Sequence, residues 1–461
     1  MKRVSTQRAH VPAWRARLRS WRATPSQILM GGAGSVILIG TLLLALPLSS
    51  ASGHSIGLIN ALFTATSAVC VTGLIVLDTP TAFSGFGHVV LLLLFQIGGL
   101  GYMTAATFVA LILGRRMGLR DRLLLSEAMA SPTMEGLLRF ATLTVKITFV
   151  VEGFTALVLT MRFMVDMPPD RAAWFGIFHA VSAFNNAGFA LFSDSLIQYR
   201  SDPYITASIG LAIIAGGLGY LVYADLSSRM AGQTTRLSVH TRMTLSMTAG
   251  VGLFGALALF AMEMTNPKVV HDGMAGMALF QSFAARTAGF ATTDVALLAP
   301  ASAFLLIVLM LIGGGSGSCA GGIKVTTTGV ILASLWSTLR GREQVAVYHR
   351  TIPQALVQKS FFLGAAALFL MVIMTWLVLI VEGGKLMPTL FEVASAVATV
   401  GLSFGDGHGR SLCATYGDGG KLLIALAMFL GRLGPLTIGI AVLTSESQQR
   451  YRLPSEKVLI G

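Results

Sequence analysis

Long and short apolar runs alternate along the chain. Eight runs are long enough to cross a bilayer, at about 28–48, 86–113, 140–163, 204–225, 243–263, 302–337, 360–381 and 421–444. A spanning helix needs ~20 apolar residues, because at 1.5 Å per residue it must cover ~30 Å. Four shorter apolar segments centre on 58–72, 173–187, 274–288 and 388–400, one inside each pair of long runs. The pattern is therefore span, half-span, span, four times over. A segment too short to cross must enter and leave on one side.

The half-spans align without gaps: FTATSAVCVTGL from 63, FHAVSAFNNAGF from 178, LFQSFAARTAGF from 279 and FEVASAVATVGL from 391. Each ends in a glycine followed by Leu or Phe, at Gly73, Gly188, Gly289 and Gly401. These glycines recur about every 110 residues, which is the signature of internal duplication. Ser67, Ser182 and Ser395 recur at matched positions, as do Ala68, Ala183, Ala284 and Ala396. A second register follows in the later span of each repeat: GGLGY at 98 and 216, GGGSG at 313 and GRLGP at 431. Each repeat should break there, at a similar depth. The predicted fold is an all-α polytopic membrane protein, with four pseudo-symmetric repeats of span, re-entrant pore helix and span around one central ion pore. The repeats are bounded at 28–113, 114–225, 226–338 and 339–449, with tails at 1–27 and 450–461. The second and fourth repeats each open with a cytoplasmic loop.

Composition agrees with this solvent. The chain is 54% hydrophobic and 11% charged, with mean hydropathy +0.74, against about 25% charged in soluble domains. A soluble domain with a single anchor is excluded. Three cysteines, Cys70, Cys319 and Cys413, imply neither a disulfide framework nor a metal site. Residues 1–26 carry seven Lys/Arg and no acid. The apolar run after them is longer than a signal-peptide core, so it reads as an uncleaved first span. Trp14 and Trp21 leave two readings of that tail, lying on the bilayer surface or unstructured. Most of the 33 Lys and Arg fall in the tails and in the loops joining repeats. The positive-inside rule then makes both termini cytoplasmic, and the half-spans enter from the acidic outer face. The partner of this basic charge is the lipid bilayer and not nucleic acid.

Non-helical backbone survives in hydrocarbon only when buried in protein or lining a water-filled path. Four glycine-tipped segments meeting at one axis satisfy that rule. Their carbonyl oxygens would then form rings that replace the hydration shell of K+. The candidate filter is Val71, Thr72 and Gly73; Asn186, Ala187 and Gly188; Thr287, Ala288 and Gly289; and Thr399, Val400 and Gly401. Each half-helix would aim its partially negative C-terminus at the axis, which favours a cation. Asp78, Asp194, Asp294 and Asp406 follow their glycines by five or six residues. Four carboxylates at one depth would concentrate cations at an outer mouth; as ordinary loop residues they would do nothing of the kind.

TATSAVCVTGL, QIGGLGYMT, GGGSGSCAGGIK and MFLGRLGPLT together resemble the Trk/Ktr/HKT superfamily of potassium transporters over residues 28–461. GRLGP and the ending RYRLPSEKVLIG are most similar to its KtrB-type pore subunits. The resemblance implies K+ uptake across a bacterial inner membrane through a fourfold pseudosymmetric pore. It also implies a homodimer, a cytoplasmic KtrA-type ring that binds ATP or ADP, and stimulation by Na+. In plant relatives, serine at the first filter glycine goes with Na+ transport. Glycine at all four positions here favours K+. Asn185, Asn186 and Arg286 make the repeats chemically unequal, as in that family.

The stretch 313–329 holds six glycines within its first ten residues, at about 1 kcal/mol each against Ala in a helix. It is expected to be a loop below the filter, although glycines also permit a close-packed helix crossing. Relatives use this position as an intramembrane gate. The gate candidates are Gly313, Gly314, Gly315, Ser316, Gly317, Ser318, Lys324 and Arg432. Arg432 replaces the second glycine of the other repeats (Gly99, Gly217, Gly314). A charge at mid-span costs at least ~2.5–3.5 kcal/mol, so it should face the pore or a partner such as a loop carbonyl. Arg286 reads as a brace held by backbone or carboxylate contacts. Glu152 reads equally as a brace or as part of an ion path. Two rival functions stand against a pore. One is an intramembrane hydrolase using the loop serines with His179 or His88, but hydrolysis gives no reason for four glycine-tipped half-helices. The other is a cation-coupled secondary transporter, whose signature is two inverted halves and not four same-sense repeats. The chain is accordingly read as no enzyme.

Overall fold

The computed structural model describes residues 25–101 and 134–434. The basic tail up to residue 24, the loop opening the second repeat, the far ends of the runs 86–113 and 421–444, and the tail 450–461 lie outside the described residues.

The first repeat comprises α1 (Pro25–Ala45), α2 (Leu58–Val69) and α3 (Gly85–Leu100). The second comprises α4 (Met134–Phe163), α5 (Pro169–Phe184), α6 (Pro203–Leu218) and α7 (Tyr220–Met230). In the third are α8 (Val239–Glu263), α9 (Met274–Ala284), α10 (Pro300–Leu311) and α11 (Val325–Leu339). The fourth holds α12 (Gln354–Glu382), α13 (Leu386–Ala398) and α14 (Asp418–Leu433). An antiparallel hairpin, β1 (Ala346–Val347) and β2 (Arg350–Thr351), joins the last two repeats, with Ala346 opposite Thr351.

Helices α2, α5, α9 and α13 are the half-spans, and they form the centre. Ala, Ser, Thr and Phe dominate them, and nearly every residue past their first turn is buried. Small residues let the surrounding helices approach closely, which is how helices associate without a hydrophobic driving force between them. The outer helices instead expose Leu42, Phe149, Phe254, Leu257, Phe369 and Trp376, as a lipid-facing surface would. The packing closes into a ring. Helix α3 packs on α5, α6 on α9, α10 on α13, and α14 on α2, so the outgoing helix of each repeat supports the half-span of the next and the last supports the first.

Carboxylates at the outer helix ends tie the flanking helices within a repeat. Glu263 accepts from Ala299 N at 2.9 Å and from Asn266 Nδ2. Glu382 accepts from Gly417 N at 3.0 Å and Gly420 N at 2.9 Å, satisfying the orphan donors at the start of α14. Asp202 caps α6 through Tyr204 N and Ile205 N while pairing with Arg162 at 2.6 Å.

Two of the expected spans are not continuous. The run 204–225 turns by 91° between α6 and α7, at Gly219 with φ 90°. The run 302–337 is two helices around an irregular segment, 312–324. Residues 325–329 of the expected loop therefore belong to α11. Among the described residues, the single helices long and apolar enough to cross are 142–163, 239–263 and 354–382, with the bent pair α6–α7 as a fourth. Close approach requires glycine near the ends of these helices. A Cβ on Gly98, Gly216 or Gly431 would strike the carbonyl oxygen of Val69, Phe184 or Val397, in the last turn of the half-span of the same repeat. In the third repeat Gly313 instead meets the carbonyl of Gly321.

Gly216→Ala should therefore destabilise the protein by about 1–3 kcal/mol, since the intruding methyl meets backbone that cannot rotate away. Gly34→Ala, where no atom lies within 4 Å, should be neutral or mildly stabilising. Thermal unfolding of both variants in detergent checks the contrast; equal shifts would contradict it.

Candidate functional site

The four half-spans end in the same unusual backbone. Val71, Asn186, Thr287 and Thr399 have φ of 56°, 57°, 77° and 51°, each two residues before its glycine. Positive φ is a genuine outlier for a β-branched residue and costs ~1–3 kcal/mol where it persists. Gly73, Gly188, Gly289 and Gly401 follow with φ of 88°, 72°, 74° and 102°. A strand sends successive groups to opposite sides; a positive φ at every second residue turns them toward one side instead.

The glycines form a closed ring. A Cβ on Gly73 would lie 2.6 Å from Ala187 O and 2.9 Å from Gly188 Cα, and one on Gly188 would lie 2.9 Å from Ala288 O and 3.2 Å from Gly289 Cα. On Gly289 it would meet Val400 O, with Gly401 Cα at 3.1 Å, and on Gly401 it would meet Thr72 O, with Gly73 Cα at 3.1 Å. Each glycine thus abuts the carbonyl that precedes the next glycine, in the order first, second, third, fourth, first. No side chain fits here. All twelve residues singled out from the sequence for a filter are brought together at this ring.

The recurring serines have a role that their spacing alone did not disclose. Ser67 Oγ accepts from Gly73 N at 3.1 Å, and Ser395 Oγ from Gly401 N at 3.0 Å. Ser182 Oγ donates to Phe189 O at 2.7 Å, just past Gly188. Backbone bonds at 2.8 Å from Thr72, Ala187 and Val400 N to Ser67, Ser182 and Ser395 O complete each turn. The third repeat has Phe283 at this position. Arg286 stacks over the Phe283 ring at 4.9 Å, and its Nε has no hydrogen-bond partner among the described residues. Among the described residues no backbone or carboxylate contact braces Arg286, and the Phe283 ring is what its guanidinium meets. The hydroxyls of Thr72, Thr287 and Thr399 are also buried with no partner among the described residues.

Beside the ring lies a vestibule of about 270 Å³, lined by all four glycines with Asp78, Asp194 and Asp294. Asp78 accepts from Thr81 and Ser193 hydroxyls, and Asp194 and Asp294 from Gln198 N and Ala296 N. Asp406 is placed differently. It folds into its own loop, pairing with Arg410 Nε at 2.7 Å and accepting from His408 N and Arg410 N. Three aspartates, and not four, line the vestibule. Burial alone would raise the carboxyl pKa of Asp406. The hydrogen bonds from His408 and Arg410 and the Arg410 charge outweigh it and hold the pKa below its ordinary value.

Opposite the vestibule, segment 312–324 returns toward the ring. It closes on itself through Gly313 N to Ile323 O at 2.8 Å and Ile323 N to Leu311 O at 3.0 Å. It is tied to the break in α6–α7 by Gly315 N to Gly217 O, Cys319 N to Gly216 O and Tyr220 N to Gly317 O. Gly321 reaches the ring itself, where a Cβ would strike the Thr399 hydroxyl. Lys324 Nζ donates to Ala320 O at 2.6 Å, and Ser316 and Thr326 hydroxyls lie 3.0 Å apart. Arg432 donates to Cys319 O and to Gly98 O, both at 2.6 Å. One guanidinium therefore joins the loop to the first and fourth repeats, and its fixed fork suits two carbonyls at once.

The two histidines considered for hydrolysis are engaged elsewhere. His179 contacts Phe175 O through Nδ1 and accepts from Leu191 N at Nε2, and His88 Nε2 contacts Thr79 O. Sequence reasoning did miss a buried polar cluster behind the ring, formed by Gln96, Glu152 and Asn185. Its members lie on α3, α4 and the end of α5, and no spacing rule links them.

Comparison with known proteins agrees with this architecture. The family described as TrkH, cation transport protein, matches residues 17–452. The chain belongs to that family. It is 36% identical over 444 residues to the Ktr system potassium uptake protein B of Bacillus subtilis, covering 95% of this chain and 97% of that protein. It is 34% identical to the potassium/sodium uptake protein NtpJ of Enterococcus hirae, covering 95% and 98%. The crystal structure of the potassium transporter TrkH from Vibrio parahaemolyticus shares the fold, with a TM-score of 0.72 at 18% identity, covering 92% of this chain and 86% of that one. The chain is thus a multi-pass membrane transporter and not an enzyme.

The pairing of Asp406 should survive throughout pH 5–8. A depressed carboxyl pKa means that the pair is fully formed above the ordinary value near ~3.9 and is lost as pH falls through its own, lower value. Hydrogen exchange of the 403–416 loop should therefore stay slow across that range. Asp406→Asn should speed it at pH 7; unchanged exchange would contradict the assignment.

Proposed function

We propose that this protein carries K+ into the cell across the bacterial inner membrane, through one pore whose filter is the four-glycine ring. The observation that carries the reading is the closed circuit in which each glycine abuts the carbonyl preceding the next. The carbonyls of residues 71–73, 186–188, 287–289 and 399–401 act as the ligands, and the hydroxyls of Thr72, Thr287 and Thr399, without partners among the described residues, are further oxygens suited to a dehydrated cation. Asp78, Asp194 and Asp294 gather cations in the vestibule. The loop 312–324, pinned by Arg432, obstructs the path on the other side. An inside-negative potential supplies about 2.3 kcal/mol per charge per 100 mV, enough to drive uptake without a co-substrate.

In this reading the four repeats follow the bounds deduced from the sequence, both termini are cytoplasmic, and the protein works as a homodimer on a KtrA-type ring. Nucleotide binds that ring and not this chain, and Na+ stimulates uptake. The relatives named as parts of a Ktr system support a multi-component assembly, and the one named for potassium and sodium supports a link to Na+. The distinguishing measurement is flux into proteoliposomes, where a pore passes K+ down a voltage gradient with no obligatory coupling ion and an alternating-access transporter does not.

Two sets of variants test the parts. Gly73→Ser and Gly289→Ser each place a side chain against a neighbouring carbonyl. K+ over Na+ selectivity should fall in both, and unchanged selectivity in both would sink the filter assignment. Deleting Gly314 to Gly321, or Arg432→Ala, should raise K+ flux by the pore subunit alone, normalised to folded protein. A fall in flux with normal folding would make these residues part of the conducting path and end the gate reading.

A further inference from the structure

Glu152 lies mid-way along α4, buried, with both carboxyl oxygens engaged. Oε1 accepts from Asn185 Nδ2 at 2.9 Å and Oε2 from Gln96 Nε2 at 3.4 Å. The same Asn185 nitrogen lies 2.9 Å from Gln96 Oε1 and 2.9 Å from Val181 O. Three acceptors therefore surround an amide that has two hydrogens. On its other side, Asn185 Oδ1 fills the space that a Cβ on Gly99 would need, and the Cys319 thiol of the obstructing loop lies 4.0 Å away. The Cys319 thiol also meets Tyr220 Oη at 3.3 Å. Asn185 thus sits where three repeats converge.

Its place in the chain gives this cluster a consequence. Asn185 caps α5, and the next residue is Asn186, whose φ of 57° begins the second segment of the ring. The matched positions of the other repeats are Cys70, Arg286 and Ala398, none of which carries an amide. The first and fourth segments are held by a serine accepting the N–H of their glycine. In the second, Ser182 donates to Phe189 O instead, leaving its segment without that restraint. A strained backbone persists only where its surroundings over-determine it.

We propose that Glu152 is a positioning residue for cation selectivity, holding Asn185 so that backbone 186–188 keeps its carbonyls in register with the other three segments. The proposal rests on the filter reading above. A carboxyl with both oxygens occupied by amides is not placed to ligate a passing ion, so Glu152 acts through Asn185 and not on the cation. Glu152→Gln keeps an acceptor oxygen for Asn185 Nδ2 and should leave selectivity near that of the unmodified protein. Glu152→Leu removes it and should lower the K+ over Na+ ratio about tenfold, the factor carried by ~1.4 kcal/mol. Asn185→Leu should do the same. The double variant should be no worse than either single one, because residues acting as one unit are not additive.

The test is K+ and Na+ flux into proteoliposomes, with thermal unfolding in detergent to establish that each variant is folded. The expected result is a lowered ratio for Glu152→Leu and its rescue in Glu152→Gln. A folded Glu152→Leu with an unchanged ratio overturns the proposal, as do additive losses in the double variant. If Glu152→Leu does not fold, Asn185→Leu alone decides in the same way. An unmodified protein that passes K+ and Na+ equally overturns the filter reading, and this proposal with it. That outcome is separable, because it appears before any substitution is made.

Discussion

Bare backbone at membrane depth is stable only when protein covers it or it lines a water-filled path, and this constraint organises the molecule. Four half-helices stop short of crossing, and the residues after them take positive φ at every second position. Such segments cannot face lipid. They are buried by meeting each other, and the meeting is so close that a methyl group on any of the four glycines would strike a neighbour's backbone. The outgoing helices then close the ring from outside, each supporting the next repeat's half-span. The contact that excludes side chains is thus the contact that brings the carbonyls of Thr72, Ala187, Ala288 and Val400 against the four glycines.

The same constraint explains the broken helices. The glycines near the ends of α3, α6 and α14 lie against the terminal carbonyls of the half-spans, and after α6 the chain turns by 91° into α7. In the third repeat the break widens into the segment 312–324, which covers the ring from one side. Its backbone groups are satisfied by the breaks in neighbouring helices and by Arg432. A charge is tolerated there because two carbonyl oxygens accept from one guanidinium.

The repeats share a backbone but not their supports. Serine hydroxyls hold the first and fourth segments, an amide and carboxyl cluster stands behind the second, and Arg286 over Phe283 stands behind the third. The four segments are therefore alike in backbone and unlike in what holds them.

The sequence by itself determined the architecture. Run lengths separated long apolar segments from the half-spans, the aligned glycines pointed to fourfold duplication, and the glycine-rich stretch after 313 could not be one helix. It also placed Arg432 in a register where a charge needs a partner, and that partner proved to be a loop carbonyl. Only the tertiary structure decided what depends on contacts between distant segments. It showed that Asp406 pairs with Arg410 and does not line the vestibule, that α6 and α7 are set at 91°, and that Arg286 rests on an aromatic ring. It alone joined Gln96, Glu152 and Asn185. Periodicity reports which face of one element is apolar; which partners meet across the axis is set by close packing between repeats, and that leaves no trace in local spacing.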